Sequence, residues 1–402
     1  MNYRTNGLAS PILNNKDLYF GLIITFIISI LIFYCAFLFA VWQGTNVHWV
    51  SDLHVHAQAV LDAASTHHFP VYSLWYRLVY IISGFSKQYN HIAYASIVLL
   101  ALLTVAKYII SYHILRNNCP VKGKGIALVS FSLIFIMPVL SYYSCSGVSV
   151  CINNYHVVIG NIVPNQWHNS TLILAMPFNL LLFYYSVKEI RAERWSSFLI
   201  MGILSLISIL CKPNFSLAYL PILCVAILIL NFNSHHYFQA FIKCALVAIP
   251  SLLVLLYQWY FTFIDSSVPL HNSKTIIAPF LVWSHFSPHI IISLLLSIAF
   301  PLSIFILYFE KINLYLILAW LTFLLAVASF SFLAEYPNWV NGNYGWGLIS
   351  SCYILFLFSA VCLLNQPFDW KTKVAYTVLV IHFLSGCFLL GSFFIRQTSL
   401  LL

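Results

Sequence analysis

Leu18 to Trp42 reads LYFGLIITFIISILIFYCAFLFAVW, twenty-five residues in a row without a charged side chain. As a helix rising 1.5 Å per residue this run covers about 37 Å, more than the roughly 30 Å of hydrocarbon in a bilayer. Ten further apolar runs of about 20 residues begin near Asn90, Gly125, Thr171, Ser196, Phe215, Phe238, Ser287, Leu314, Gly345 and Val374. Their number makes the chain an all-α polytopic membrane protein with about eleven spans. The fifth and sixth are short and separated only by Lys212-Pro213-Asn214.

Composition agrees. Of 402 residues, 62% are hydrophobic and 7% charged, whereas soluble domains carry about 25% charge. No stretch is polar enough for a water-soluble unit, so residues 1–402 read as a single integral membrane domain. Residues 1–17 form a polar cytoplasmic tail, and the run after it is too long for a cleaved signal peptide. Most of the ten Cys lie in apolar runs and no CxxC pair occurs, so redox and thiolate-metal chemistry are not indicated. Cys145 and Cys151 share one outer loop and can close a short disulfide ring.

The formal charge of +9 is read by side of the membrane, and nucleic acid is not the partner it indicates. With the N-terminus inside, thirteen of the eighteen cations fall on the cytoplasmic side, Lys107 among them, and Arg77, Lys87, Lys212, Lys274 and Arg396 fall outside. That split places the N-terminus inside and the C-terminus outside. The outer connections, 43–89, 144–170, 264–286 and 335–344, are the long ones, and they hold much of the Trp, His, Asn and Pro found outside the helices. Sites are usually carried on such loops.

Four of the nine carboxylates lie outside: Asp52, Asp62, Asp265 and Glu335. Asp52 follows the first span within Asn46-Val47-His48-Trp49-Val50-Ser51-Asp52-Leu53-His54-Val55-His56. Ser51 can cap a helix there, and Leu53, Ala57, Val60, Leu61 and Ala64 recur at helical spacing. An amphipathic helix on the membrane surface is expected, broken at His67-His68-Phe69-Pro70, with a second interfacial helix in Tyr72–Phe85.

Asp52-Leu53-His54-Val55-His56, Ala63-Ala64 and Phe69-Pro70-Val71-Tyr72 resemble the first outer loop of the GT-C superfamily of membrane glycosyltransferases. In that family an acidic residue opens the loop and two juxtamembrane helices follow. Asn165 to Thr171, Cys211 to Phe215 and Glu335 to Trp346 resemble patches of bacterial polysaccharide-locus proteins of the same kind. Where the family often carries a second acid, Leu53 and His54 stand. The resemblance implies an inverting transferase in the bacterial inner membrane with its site facing the periplasm. It would move a sugar from a polyprenyl-phosphate donor to a surface polysaccharide, such as lipopolysaccharide O-antigen, or to a lipid-linked glycan.

Such a reaction needs a base for the attacking hydroxyl and cations for the departing phosphate. Asp52 is the catalytic candidate, its plainer role being a carboxylate at a helix N-terminus. Lys212 leads the phosphate-binding candidates, with Arg77 and Lys274 behind it; each can instead face lipid headgroups. His54, His56, His168, Asn169, Glu335, Asn343 and Trp346 suit acceptor sugar, which presents hydroxyls and apolar ring faces. Aromatic-belt and turn roles are the plainer alternative for them. No cofactor is required; a divalent metal among the histidines stays open, although His54 and His56 are spaced for different helix faces.

Three rivals belong to other classes. An O-antigen polymerase would be expected to carry a long Arg-rich outer loop, and none is written here. A lipid-linked glycan transporter or flippase would want charges or broken helices at mid-membrane, and the helix interiors show Pro but no clearly central acid or base. An acyltransferase would rest on His382 alone.

Overall fold

The computed structural model describes residues 16–42, 51–121, 123–140, 160–231, 237–264 and 273–396. Cys145, Cys151 and Asp265 lie outside them. The helices are α1 (Lys16–Trp42), α2 (Leu53–Thr66), α3 (Trp75–Ile82), α4 (Tyr89–Asn118), α5 (Lys124–Phe135), α6 (Ser170–Glu189), α7 (Trp195–Cys211), α8 (Asn214–Asn231) and α9 (Tyr237–Trp259). After a short strand β1 (Lys274–Ile277) come α10 (Leu281–Phe286), α11 (Ile290–Ser297), α12 (Ala299–Leu307) and α13 (Leu314–Phe332). Strand β2 (Leu333–Tyr336), α14 (Trp346–Leu364) and α15 (Trp370–Arg396) complete the order. β2 pairs antiparallel with β1, Lys274 opposite Tyr336 and Thr275 opposite Glu335.

Among the described residues seven helices, α1, α4, α6, α9, α13, α14 and α15, are long and apolar enough to cross a membrane. α11 and α12 pass together but meet at 70°, and α5, α7 and α8 are apolar and shorter. Every one of the eleven apolar runs thus carries helix. α14 is the axis: from Gly347 to Leu364 no residue escapes burial, and it packs on α13, α8, α12, α4, α6 and α5. A helix apolar on all sides belongs in such a place.

Joints between helices collect at two ends. At one, Asn365 Nδ2 donates to Asn118 O (2.8 Å), Asn118 Nδ2 to Tyr184 OH (3.4 Å) and Lys243 Nζ to Ala192 O (3.2 Å). Arg116, Lys124, Lys188, Arg191, Arg194, Lys311, Lys371 and Lys373 belong to this end by their positions in the chain. Lys107 does not. It is 8% exposed and sits eleven residues before the end of α4, about 16 Å into the helix. The sequence count placed it among cytoplasmic cations, because periodicity alone does not tell a helix end from its interior. The absence of a central charged group, held against a transporter, is corrected with it.

Lys107 marks a polar layer. α5 stops at Phe135, the α11–α12 bend falls at 297–299, and His382 lies on α15; counted along the helices from their ends, these points are about 12 to 18 Å in. His382 joins two of the breaks: its Nδ1 donates to Met137 O (2.7 Å) and its Nε2 accepts from Phe300 N (3.3 Å). Met137 N in turn donates to His382 O (3.1 Å), and Val139 N to Leu296 O (3.1 Å). A neutral imidazole, one nitrogen donating and the other accepting, closes backbone groups that hydrocarbon cannot solvate. With both nitrogens spent, His382 has none left for acyl transfer.

His382→Leu leaves Met137 O short of a donor and Phe300 N without an acceptor. A loss of about 1–3 kcal/mol per unpaired group is expected, read as a lower unfolding midpoint in detergent. An unchanged midpoint would refute the bracing role.

Candidate functional site

The opposite end gathers residues from five parts of the chain. It begins with how α7 stops. Its last carbonyls have no intrahelical donors, and α3 supplies them: Leu74 N donates to Leu210 O (2.8 Å) and Ser73 Oγ to Cys211 O (2.6 Å). Gln258 Nε2 of α9 adds Ile209 O (3.4 Å) and Val71 O (3.3 Å). The α2–α3 pair is thereby fastened to the α7–α8 joint, where Lys212 sits in extended conformation with Pro213 after it.

Lys212 does not reach along the membrane surface. Its Nζ donates to Thr171 Oγ1 (2.8 Å) and Asn169 Oδ1 (3.1 Å) and stands 4.7 Å from the centre of the Trp346 ring. Asn169 also caps α6, accepting from Leu172 N (3.0 Å). Trp346 reaches this point because α8 and α14 cross closely at their starts: a Cβ on Gly347 would lie 2.5 Å from Asn214 O. Asn214 Nδ2 donates to Asn343 O (2.8 Å), Trp346 Nε1 to Asn343 Oδ1 (3.1 Å) and Asn343 Nδ2 to Glu335 Oε2 (2.5 Å). Glu335, Asn343, Trp346, Lys212, Asn169 and Thr171 are one connected network.

His168 is buried, its ring 6.2 Å from that of Trp346 and its Nε2 2.9 Å from Gln166 Nε2. On α2, Leu53, Ala57, Val60 and Ala64 are buried as the spacing predicts, Leu61 is only partly so and Ala63 joins the buried face, and Ser51 Oγ accepts from Leu53 N (3.2 Å). The helix begins one residue later than expected. Asp52 flanks it with a helical backbone (φ −69°) and no capping bond from its side chain. Its carboxylate is half-buried and makes no hydrogen bond or ion pair with another described residue. His56 Nδ1 shares a hydrogen bond with Tyr76 OH (3.0 Å), which is 2.6 Å from Tyr72 OH. His54 Nδ1 turns back to Ser51 O (3.0 Å).

Burial governs the charges. It pushes Lys212 down to about 7 against the pull of the Asp52 carboxylate. Burial likewise brings His56 down to about 4; Asp52 opposes this, while Lys212, His168 and His54 add to it. Tyr76 is pushed well up by burial, with Tyr72 adding to it. Near neutral pH the Lys212 amine is therefore at its titration point, while the His56 ring and the Tyr76 hydroxyl are neutral. The cluster can accept a proton at Asp52 and hold an anion at Lys212.

Most of the expected residues meet here, and two stand apart. Arg77 is exposed on α3, with no bond to the cluster among the described residues; Tyr76 turns inward and the next side chain turns away. Lys274 is exposed on β1, 5.7 Å over the Tyr336 ring and one register position from the Glu335–Thr275 pair. Tyr72, Tyr76, Gln166 and Thr171 were not among the expected site residues; a Tyr pair four apart was the available signal for the first two. Among the described residues no three of His, Cys, Asp and Glu gather as metal ligands. The chain matches no protein-family model and no curated protein.

Competitive acetylation across pH tests the electrostatics. Lys212 should titrate near 7, far from the ordinary 10.5, and Asp52→Asn should lower it further, because the carboxylate favours the charged amine. Titration near 10.5, or a rise in the variant, would contradict the arrangement.

Proposed function

We propose that this chain is an inverting glycosyltransferase of the GT-C kind, using a polyprenyl-phosphate sugar as donor and a surface glycan or lipid-linked glycan as acceptor. One observation carries the reading: Asp52 and Lys212, 160 residues apart, share a half-buried cluster in which the carboxylate is spent on no capping bond. The acceptor hydroxyl attacks the anomeric carbon, its proton passes to Asp52, and the bond to the phosphate oxygen breaks as the new glycosidic bond forms. Charge grows on the leaving phosphate, where Lys212 is the cation within reach, so its help is greatest in the transition state. Trp346, His168, Asn169, Asn343 and Glu335 offer ring faces and polar groups to the sugars.

In this reading all eleven apolar segments cross the membrane, α11 and α12 as one bent span, and the N-terminus is cytoplasmic. Twelve cations still lie on that side against five once Lys107 is removed from the count, and the Asp52 cluster then faces the periplasm from a bacterial inner membrane. A second reading, movement of a lipid-linked glycan across the bilayer, is favoured by Lys107 and the 70° bend between α11 and α12, since transporters place charged groups and broken helices at mid-depth.

Transfer from a short-chain polyprenyl-phosphate sugar by protein in vesicles separates the two. Asp52→Asn should lose about 10²–10⁴ in rate while remaining folded. Lys212→Ala should depress the chemical step and Lys212→Arg keep part of it. Normal rates in Asp52→Asn and Lys212→Ala would remove this site, and donor crossing the bilayer without transfer would favour transport.

A further inference from the structure

Residues 161–169 are buried throughout and run without helix or strand apart from short turns. Inside a membrane protein such a segment must find internal partners for its polar groups. Ile162 N donates to Ser297 Oγ (2.9 Å) and Gly160 O accepts from Trp283 Nε1 (2.9 Å). The firmest hold is Asn165. Its Nδ2 donates to Leu133 O (2.8 Å) and Ile136 O (2.9 Å), carbonyls at the end of α5, and its Oδ1 accepts from Lys107 Nζ (2.5 Å).

The Asn165 amide can serve these three partners in only one orientation. Leu133 O and Ile136 O can only accept, so they take the amide nitrogen and leave the oxygen for Lys107. The Tyr353 ring, its centre 3.6 Å from Lys107 Nζ, packs against the amine from α14. From Asn165 the chain goes directly to Gln166, bonded to His168, and to Asn169, bonded to Lys212. The partner of buried Lys107 and the outer cluster are thus the two ends of one five-residue stretch, 165–169.

Beside Lys107 is a cavity of about 20 Å³, which Asn165, Gln166 and Trp167 also line. A volume of about 10–15 Å³ on this measure holds one water molecule. Gln166 Oε1 and Trp167 Nε1 are buried and have no hydrogen-bond partner among the described residues. One acceptor, one donor and the spare protons of Lys107 match a single water, which accepts from Trp167 and Lys107 and donates to Gln166.

We propose that this cavity is a water-binding site, and that Lys107, through Asn165 and the bound water, is the positioning residue that fixes Gln166 to Asn169 at the outer cluster. The proposal goes beyond sugar transfer and holds whatever reaction that cluster performs.

Thiol labelling tests it without any assay of activity. Ser170, 1% exposed and next to Asn169, is replaced by Cys, while Cys352, fully buried in α14, serves as the internal control. In the Ser170→Cys protein a small water-soluble maleimide should react slowly with both thiols. Adding Lys107→Met, which keeps the chain length and removes the donors, should speed reaction at position 170 about tenfold with Cys352 still protected. If Lys107→Met does not fold, Trp167→Phe removes one donor to the water, leaves the ring stacked on Phe135, and should give a smaller rise. Unchanged labelling in folded Lys107→Met, or in Trp167→Phe where that variant has to be used, overturns the proposal and leaves the transferase reading standing.

Discussion

In hydrocarbon no water completes an unpaired backbone group, and every departure from regular helix has to be closed from within the protein. Among the described residues this chain departs repeatedly, and three of the places are closed by buried polar side chains together with backbone groups. Asn165 takes the carbonyls where α5 stops. His382 bridges the end of α5 and the start of α12. Ser73 and Gln258 take carbonyls of the last turn of α7, Leu74 giving its backbone N–H. The candidate site hangs from these braces: Lys212 follows the α7 terminus, His168 and Asn169 close the irregular segment, and Asp52 arrives with the α2–α3 pair. A functional end built on helix breaks gains irregular backbone near the membrane surface, and its shape then depends on side chains that touch no substrate.

Low charge density makes the few ionisable groups distinctive. Desolvation is the first cause of the shifts at both Lys212 and His56, as expected where polar groups are taken from water. An amine held near neutrality gives little electrostatic attraction at rest and much more once an anion arrives and favours its protonated form. The Asp52 carboxylate opposes the effect of burial at both. Its neighbours on the same turn of helix, Leu53 and His54, leave the start of α2 with one acid.

The sequence makes the helices of the apolar runs, the α2 face and much of the outer cluster legible for definite reasons. Hydrocarbon thickness sets a length that apolar runs either reach or miss, and period-3.6 spacing names Leu53, Ala57, Val60 and Ala64 before any packing is known. Lys212-Pro213-Asn214 shows its own turn. Depth and direction are less legible. Lys107 reads as a helix-end cation because α4 runs 30 residues, longer than a span needs. α5 stops short with Pro138 as the one local mark, and the bend at 297–299 precedes Pro301 by several residues. Arg77 and Tyr76 are adjacent in sequence, and the short α3 turns one out and the other in. Such choices are made by tertiary packing between segments that the sequence separates by anything from 20 residues, as for His56 and Tyr76, to 245, as for Met137 and His382.

The central claim is that the Asp52–Lys212 cluster receives a lipid-linked phosphate. The most direct measurement is photo-crosslinking of a diazirine-bearing short-chain polyprenyl phosphate to the protein in vesicles, with the adducts mapped by peptide mass spectrometry. The account predicts adducts on peptides carrying Asp52, His168 to Thr171 and Lys212, displaced by unlabelled polyprenyl phosphate. Adducts confined to the exposed faces of α9 and α3, or adducts that unlabelled lipid does not displace, would contradict it.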